Sequence, residues 1–322
     1  MKKILFYTIF IAILIFTMPI IFTNKFQIEE VSSKNYEEFD YGKYNEIKLL
    51  HVENGEVEKI NLDTYLLGVV ASEMPVNFDI EALKAQAVVA RTYTIYQIEH
   101  GGKHGELADI CDSSTCCQAW ISKENRMARW EENERESNWE KIEKAVNETA
   151  GKLILYEGKP INALFHSNSG GKTEVALDVW GGDYPYFQSI ETSGEENYTS
   201  YKSEAEFSRD ELIKVMHEKY DDFYINFDDT DCIKIIDYTN SGRVKTIQIG
   251  NKVISGVDAR ILFNLKSTNF DFNIIDNKII FYVIGYGHGV GLSQCGSDYL
   301  AKNGKKFDEI IKYYYKNVEI SE

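Results

Sequence analysis

Glu73 is the acid in this chain whose neighbours best suit proton transfer. It closes the run Gly68-Val69-Val70-Ala71-Ser72-Glu73-Met74-Pro75. Tyr65, Leu66, Val69, Val70 and Met74 recur at helical spacing after an Asp63-Thr64 start signal, and Pro75 disfavours helix at the residue before it. Glu73 therefore falls in a last helical turn. The negative end of a helix and apolar neighbours both disfavour the ionised carboxylate, which is what a general acid near neutral pH requires. The competing reading is a solvated glutamate, the commoner state of a lone Glu. A second helix opens at the Asp79 N-cap, keeps Ile80, Leu83, Ala87, Ala90 and Thr94 on one face, and carries Lys84 and Arg91 on the neighbouring stripe. Either cation beside Glu73 would hold it ionised, so Lys84 and Arg91 are expected to grip substrate instead.

A second cluster follows the helix. His104, Cys111, Cys116 and Cys117 form the pattern H-x6-C-x4-C-C within one loop. Zinc takes four such ligands tetrahedrally, and a site filled by protein atoms alone is structural, with no open position to activate water. One structural zinc per chain is the expectation, with His100 as an alternative to His104. The rival is a disulfide from Cys111 to one of the vicinal pair, which an extracytoplasmic location permits. Cys232 and Cys295, far along the chain, read as small buried hydrophobes. No HExxH-type helix exists, which disfavours a zinc hydrolase.

The Glu73 run, with Glu81-Ala82-Leu83-Lys84-Ala85-Gln86-Ala87 after it, resembles the signature of the stage II sporulation protein D family of endospore formers. The stretches FHSNSGGKTE (165–174), DVWGGDYPYFQSI (178–190), SGVDAR (255–260) and YGHGVGLSQCG (286–296) agree in the same order, so the resemblance runs from about Glu46 onward. It implies that Ser167, Ser169, Gly170 and Gly171, with His166 and a wall at 178–181, form a substrate loop, and that His288, Ser293 and Gln294 line the same groove. The family's DICDSxxHC stretch, here with Cys116 in place of the downstream His, agrees with the zinc reading. The implied activity is a lytic transglycosylase acting on peptidoglycan glycan strands stripped of stem peptides during engulfment. One acid suffices: it protonates the bond between muramic acid and glucosamine, and the muramoyl 6-hydroxyl closes a 1,6-anhydro ring. The 51 Asp and Glu residues leave a second carboxylate open. The chain also resembles amidase-enhancer proteins, which makes a non-catalytic wall-binding module the alternative. The family implies stage II sporulation proteins P and M as partners.

Positioning these residues takes an α+β, two-lobed extracytoplasmic domain with a substrate groove. Residues 1–24 open with Met-Lys-Lys and an apolar run about as long as a bilayer is thick, without a small-x-small cleavage pattern, and read as a single transmembrane anchor with the N-terminus inside; a cleaved signal peptide is the alternative. Residues 25–45 are an acidic linker. The core occupies 46–190, opening with a hairpin at Asn54-Gly55, and resumes over 281–322. An inserted second lobe spans 191–280. The charged stretch 123–152 reads as a solvated amphipathic helix without a site. A net charge of -16 argues against nucleic acid and anionic lipid as partners and is silent on glycans.

Overall fold

Two antiparallel strands deliver the chain to the first helix. The computed structural model describes residues 41–182 and 184–321; the expected anchor and most of the linker lie outside them, and among the described residues no helix is long and apolar enough to cross a membrane. Strands β1 (Glu46–Leu50) and β2 (Val57–Asn61) pair from Glu46↔Asn61 to Leu50↔Val57. Their connection is six residues wide rather than a two-residue turn at Asn54-Gly55. The reason is His51, which leaves the sheet with its ring nitrogens 3.1 Å from Asp112 and 3.1 Å from Glu58, while Val52 N–H donates to Asp112.

Helix α1 (Leu62–Glu73) is capped by Asn61, whose side-chain oxygen accepts from the Asp63 and Thr64 amides, so it starts slightly before the expected signal. Helix α2 (Ile80–Glu99) starts at Asp79 as its sequence predicts. Both are apolar on nearly every face and sit inside the larger core, the behaviour of helices whose hydrophobicity is not confined to one stripe. Gly68 is the point of closest approach on α1. A Cβ there would meet Trp120 Nε1 at 2.2 Å and the Ile121 carbonyl at 2.6 Å, so only glycine lets the 118–121 segment lie against the helix. That segment follows β3 (Ile110–Cys111), which joins β1 in parallel.

The stretch 123–152, expected as one charged helix, is broken into α3 (Lys123–Met127), a 3-10 turn and α4 (Arg135–Asn147). Only Trp139, Ile142, Ala145 and Val146 of α4 are buried. Strands β4 (Ile154–Tyr156) and β5 (Lys159–Pro160) form a tight hairpin at Glu157-Gly158, both of which adopt positive φ. After β6 (Phe165–His166) and the short α5 (Ala176–Trp180) the chain enters a second hydrophobic core. It is built from β7 (Lys202–Ser208), α6 (Arg209–His217), β8 (Ile233–Tyr238), β9 (Val244–Ile249), β10 (Lys252–Ser255), α7 (Gly256–Leu262), β11 (Phe270–Ile275) and β12 (Lys278–Ile284). Two three-stranded sheets, ordered β10-β9-β8 and β11-β12-β7, enclose Leu212, Met216, Ile247, Phe263 and Phe281. The architecture is α+β. The return segment adds β13 (Leu292–Ser293), α8 (Gln294–Lys302), α9 (Phe307–Tyr314) and β14 (Glu319–Ile320). β13 pairs in parallel with β6, Leu292 opposite Phe165 and Ser293 opposite His166, which brings two distant motifs side by side.

Arg91 holds two helices together and does not face substrate. Its side chain is fully buried, donating to the Thr149 carbonyl at 2.8 Å, the Val146 carbonyl at 3.5 Å and Asp63 at 3.2 Å. Those carbonyls lie in the last turn of α4 and just past its end, where a cation also meets the negative helix end. Arg91→Leu is expected to destabilise the protein by about 2–4 kcal/mol, since it strands buried acceptors. Chemical denaturation checks this; an unchanged midpoint would mean that these bonds are not made in solution.

Candidate active site

A cleft of about 370 Å³ opens beside the end of α1, lined by Ser72, Glu73, Met74, Pro75, Phe78, Arg126, Ser167, Tyr198, Thr199, Ser200, Gln294 and Cys295. Glu73 is the one carboxylate among these residues. Its Oε1 accepts the Ala119 amide at 2.6 Å, and the Gln294 side chain binds it as well. Burial raises its pKa above the ordinary glutamate range, and the two hydrogen bonds offset part of that rise. Val69, Val70 and Met74 are all buried, and Met74 lines the cleft.

Three consecutive residues fix the Ala119 amide. Cys117 belongs to the cysteine cluster. Gln118 is fully buried and donates to Thr94 Oγ1 at 2.9 Å and Tyr65 Oη at 3.1 Å, so it is pinned to α2 and α1 together. Ala119 then presents its N–H to Glu73. The four donor atoms of His104, Cys111, Cys116 and Cys117 lie within 4.8 Å of one another. Cys116 Sγ is 3.6 Å and Cys117 Sγ 3.8 Å from His104 Nε2, and the two sulfurs are 3.8 Å apart. A tetrahedron with metal–sulfur bonds of about 2.3 Å has edges of about 3.7 Å, so these separations fit a zinc-sized ion, and the cysteines are all free thiols.

The residues expected to touch substrate divide into two groups. Ser167 and Gln294 line the cleft, brought together by the β6–β13 pairing. Lys84 does not reach it: its ammonium is paired with Glu148 at 2.6 Å and Glu81 at 2.9 Å, and these charges raise its pKa against the opposing effect of burial. Arg91 is enclosed as described. Ser169, Gly171 and Ser293 turn inward to one buried carboxylate, Glu195, which accepts Ser169 Oγ at 2.5 Å, Gly171 N–H at 3.1 Å, Thr192 Oγ1 at 2.9 Å and the Ser293 hydroxyl. Gly170, at φ +73°, packs on Ile284 rather than on the cleft. These hydroxyls are drawn inward because a desolvated carboxylate needs all the donors it can collect.

His288 also lies apart from the cleft lining. Its Nδ1 accepts the Val290 amide at 3.0 Å, Trp180 packs edge-on at 4.9 Å and His166 lies at 5.7 Å. Burial, with Arg243 nearby, pushes the His166 pKa down to about 3; burial and the same cations take His288 well below its usual range. Trp180 is therefore a wall for His288, not for the cleft.

Sequence reasoning missed Arg126, Tyr198, Thr199 and Ser200. Arg126 was one charge in a run of charges, with no spacing to single it out. Tyr198 stacks edge-on to Phe78 at 5.6 Å and donates to buried Asp298 at 2.7 Å; burial and that carboxylate raise its pKa. Asp298 also accepts the Asp79 amide at 2.6 Å, tying the start of α2 to the same wall.

A family model described as SpoIID, Stage II sporulation protein, matches residues 51–156, which hold Glu73 and the cysteine cluster. Stage II sporulation protein D of Bacillus subtilis (strain 168) is 35% identical over 277 residues, 86% of this chain and 79% of its own length. Its counterpart in Bacillus amyloliquefaciens is 32% identical across 100% of this chain and 96% of its own. The chain belongs to the stage II sporulation protein D family. An amidase enhancer of Bacillus subtilis (strain 168) is a more distant relative, 25% identical over 80% of this chain and 40% of its own.

The raised pKa of Glu73 sets a sign for pH effects. The folded chain holds this proton to higher pH than the unfolded chain, so the contribution to stability is full at low pH and is lost as pH rises through the folded value. Glu73→Gln is therefore expected to be more stable than the parent at pH 7 and equal to it below about pH 4, where both states of the parent are protonated. Thermal melts across pH check this; a Gln variant less stable at pH 7 would show that the carboxylate is ionised and satisfied.

Proposed function

We propose that this protein is a lytic transglycosylase that cleaves the muramic acid–glucosamine bond of stem-free peptidoglycan strands and leaves 1,6-anhydro ends, in the wall remodelling of sporulation. The observation that carries the reading is a cleft with a single, desolvated carboxylate. A hydrolytic glycosidase places two carboxyl groups across the scissile bond, roughly 5–10 Å apart. Here the other acids nearby, Glu195 and Asp298, are buried and engaged by internal donors. Intramolecular attack needs no second acid, because the nucleophile is the sugar's own 6-hydroxyl. Protonated Glu73 donates to the glycosidic oxygen; the resulting carboxylate, steadied by the Ala119 amide and Gln294, takes the 6-hydroxyl proton as the anhydro bond forms. The proton count closes on one residue.

His104, Cys111, Cys116 and Cys117 would hold one zinc ion in a closed, structural site, which braces the loop that presents Ala119. An N-terminal anchor in the membrane and association with stage II sporulation proteins P and M complete the reading, on family resemblance. A wall-binding role without cleavage is the second reading, supported by the amidase-enhancer relative.

Purified Glu73→Gln incubated with stem-free strands is expected to yield at least about 10²-fold less anhydro product than the parent, since the amide cannot donate the proton. Mass spectrometry of the products decides it: full activity in the variant moves the acid elsewhere, and an inactive parent that still binds strands favours the second reading. Elemental analysis is expected to give about one zinc per chain, absent when Cys111 and Cys117 are both replaced by Ser. Chelation is then expected to lower the melting temperature. A Cys111 disulfide on mass mapping would overturn the metal assignment.

A further inference from the structure

The cation of the cleft is Arg126. Lys84 and Arg91 are committed to internal partners, whereas no carboxylate among the described residues pairs with Arg126. Its Nε is buried without a hydrogen-bond partner, and the guanidinium lies over the Trp130 ring, 5.0 Å from its centroid. Other arginines among the described residues also lack a carboxylate partner; what sets Arg126 apart is that it lines the cleft that holds Glu73. Its neighbour Arg129 repels it, so an anionic ligand would relieve both charges. Arg126 forms no bond with Glu73 although both line the cleft. The two groups are therefore free to engage different parts of one sugar.

Resting on the glycan reading above, we propose that Arg126 selects stem-free strands by binding the lactyl carboxylate of muramic acid. Removing the stem peptide converts the lactyl amide into a free carboxylate. That exchange puts a negative charge on the lactyl group itself, takes the peptide's own charges away with it and removes bulk at the 3-position, while the scissile bond leaves C1 of the same ring. A planar guanidinium suits a carboxylate bidentately and gains nothing comparable from a neutral amide. Arg126 is thus a specificity residue, and the acid can act on any strand that the arginine admits.

The test uses stem-free strands and the same strands with their lactyl carboxylates converted to methylamides by carbodiimide coupling. Affinity is measured by calorimetry in the Glu73→Gln background, where no turnover occurs, and kcat/KM with Glu73 intact. Arg126 is expected to give a carboxylate-over-methylamide preference of about 10- to 100-fold, which falls to near one in Arg126→Gln and is partly restored in Arg126→Lys. Unchanged melting temperatures show that the variants are folded, and the ratio of the two strands cancels any general loss. A parent that binds both strands equally, or a preference that survives in Arg126→Gln, overturns the assignment while the glycan reading stands. A parent that binds neither strand overturns both.

Discussion

Everything in the cleft is referred to one hydrogen bond, that from the Ala119 amide to Glu73. A carboxyl group at the frayed end of a helix would sample several rotamers, and an acid must be placed before it can be useful. A backbone donor at 2.6 Å fixes the group without introducing a charge, so it orients the carboxyl while desolvation continues to favour the protonated form. A lysine in the same place would orient it equally well and keep it ionised. The absence of a side chain at Gly68 and the bonds of Gln118 exist, in mechanical terms, to hold that amide still.

The buried charges follow the same logic at longer range. Arg91 joins α2 to the end of α4, Asp298 joins α8 to the start of α2 and to Tyr198, and Glu195 gathers the serine-glycine loop and β13. Each is a desolvated ion with its donors or acceptors supplied by separate segments, so removing one partner leaves an uncompensated charge in the interior. Such residues are easily mistaken for site residues. They are polar, spaced within motifs and close in space to chemistry, yet none of their polar atoms reaches the cleft.

That explains what was legible in the sequence and what was not. Helical period and the Pro75 stop located Glu73, the Asp79 cap fixed the start of α2, and ligand types at loop spacing drew the four zinc-competent residues together. These are local signals. Lys84 and Arg91 lay on the helix stripe read from their spacing, but the direction that stripe faces depends on α4 and Glu148, which arrive more than fifty residues later. The turn of Ser169 and Ser293 toward Glu195 was hidden for the same reason, because a hydroxyl at a glycine-rich loop gives no sign of which way it faces. Arg126 could not be singled out, since its distinction is its place in the cleft wall, which only the fold reveals.

The cleft has walls from five well-separated stretches, around Glu73, Arg126, Ser167, Tyr198 and Gln294, and its base is tied by an amide-to-carboxylate bond spanning 219 positions, from Asp79 to Asp298. Contacts of such separation are slow to close, since a long loop must be ordered before they reward it. A ribosome releases the start of a chain well before its end. The helix that carries Glu73 therefore exists in the growing polypeptide long before the last wall of the cleft, and any fragment ending before β13 lacks Gln294, Asp298 and the strand that positions Ser167. Chain completion is itself a safeguard: the cleft is closed, and Glu73 enclosed within it, only once the final thirty or so residues are in place.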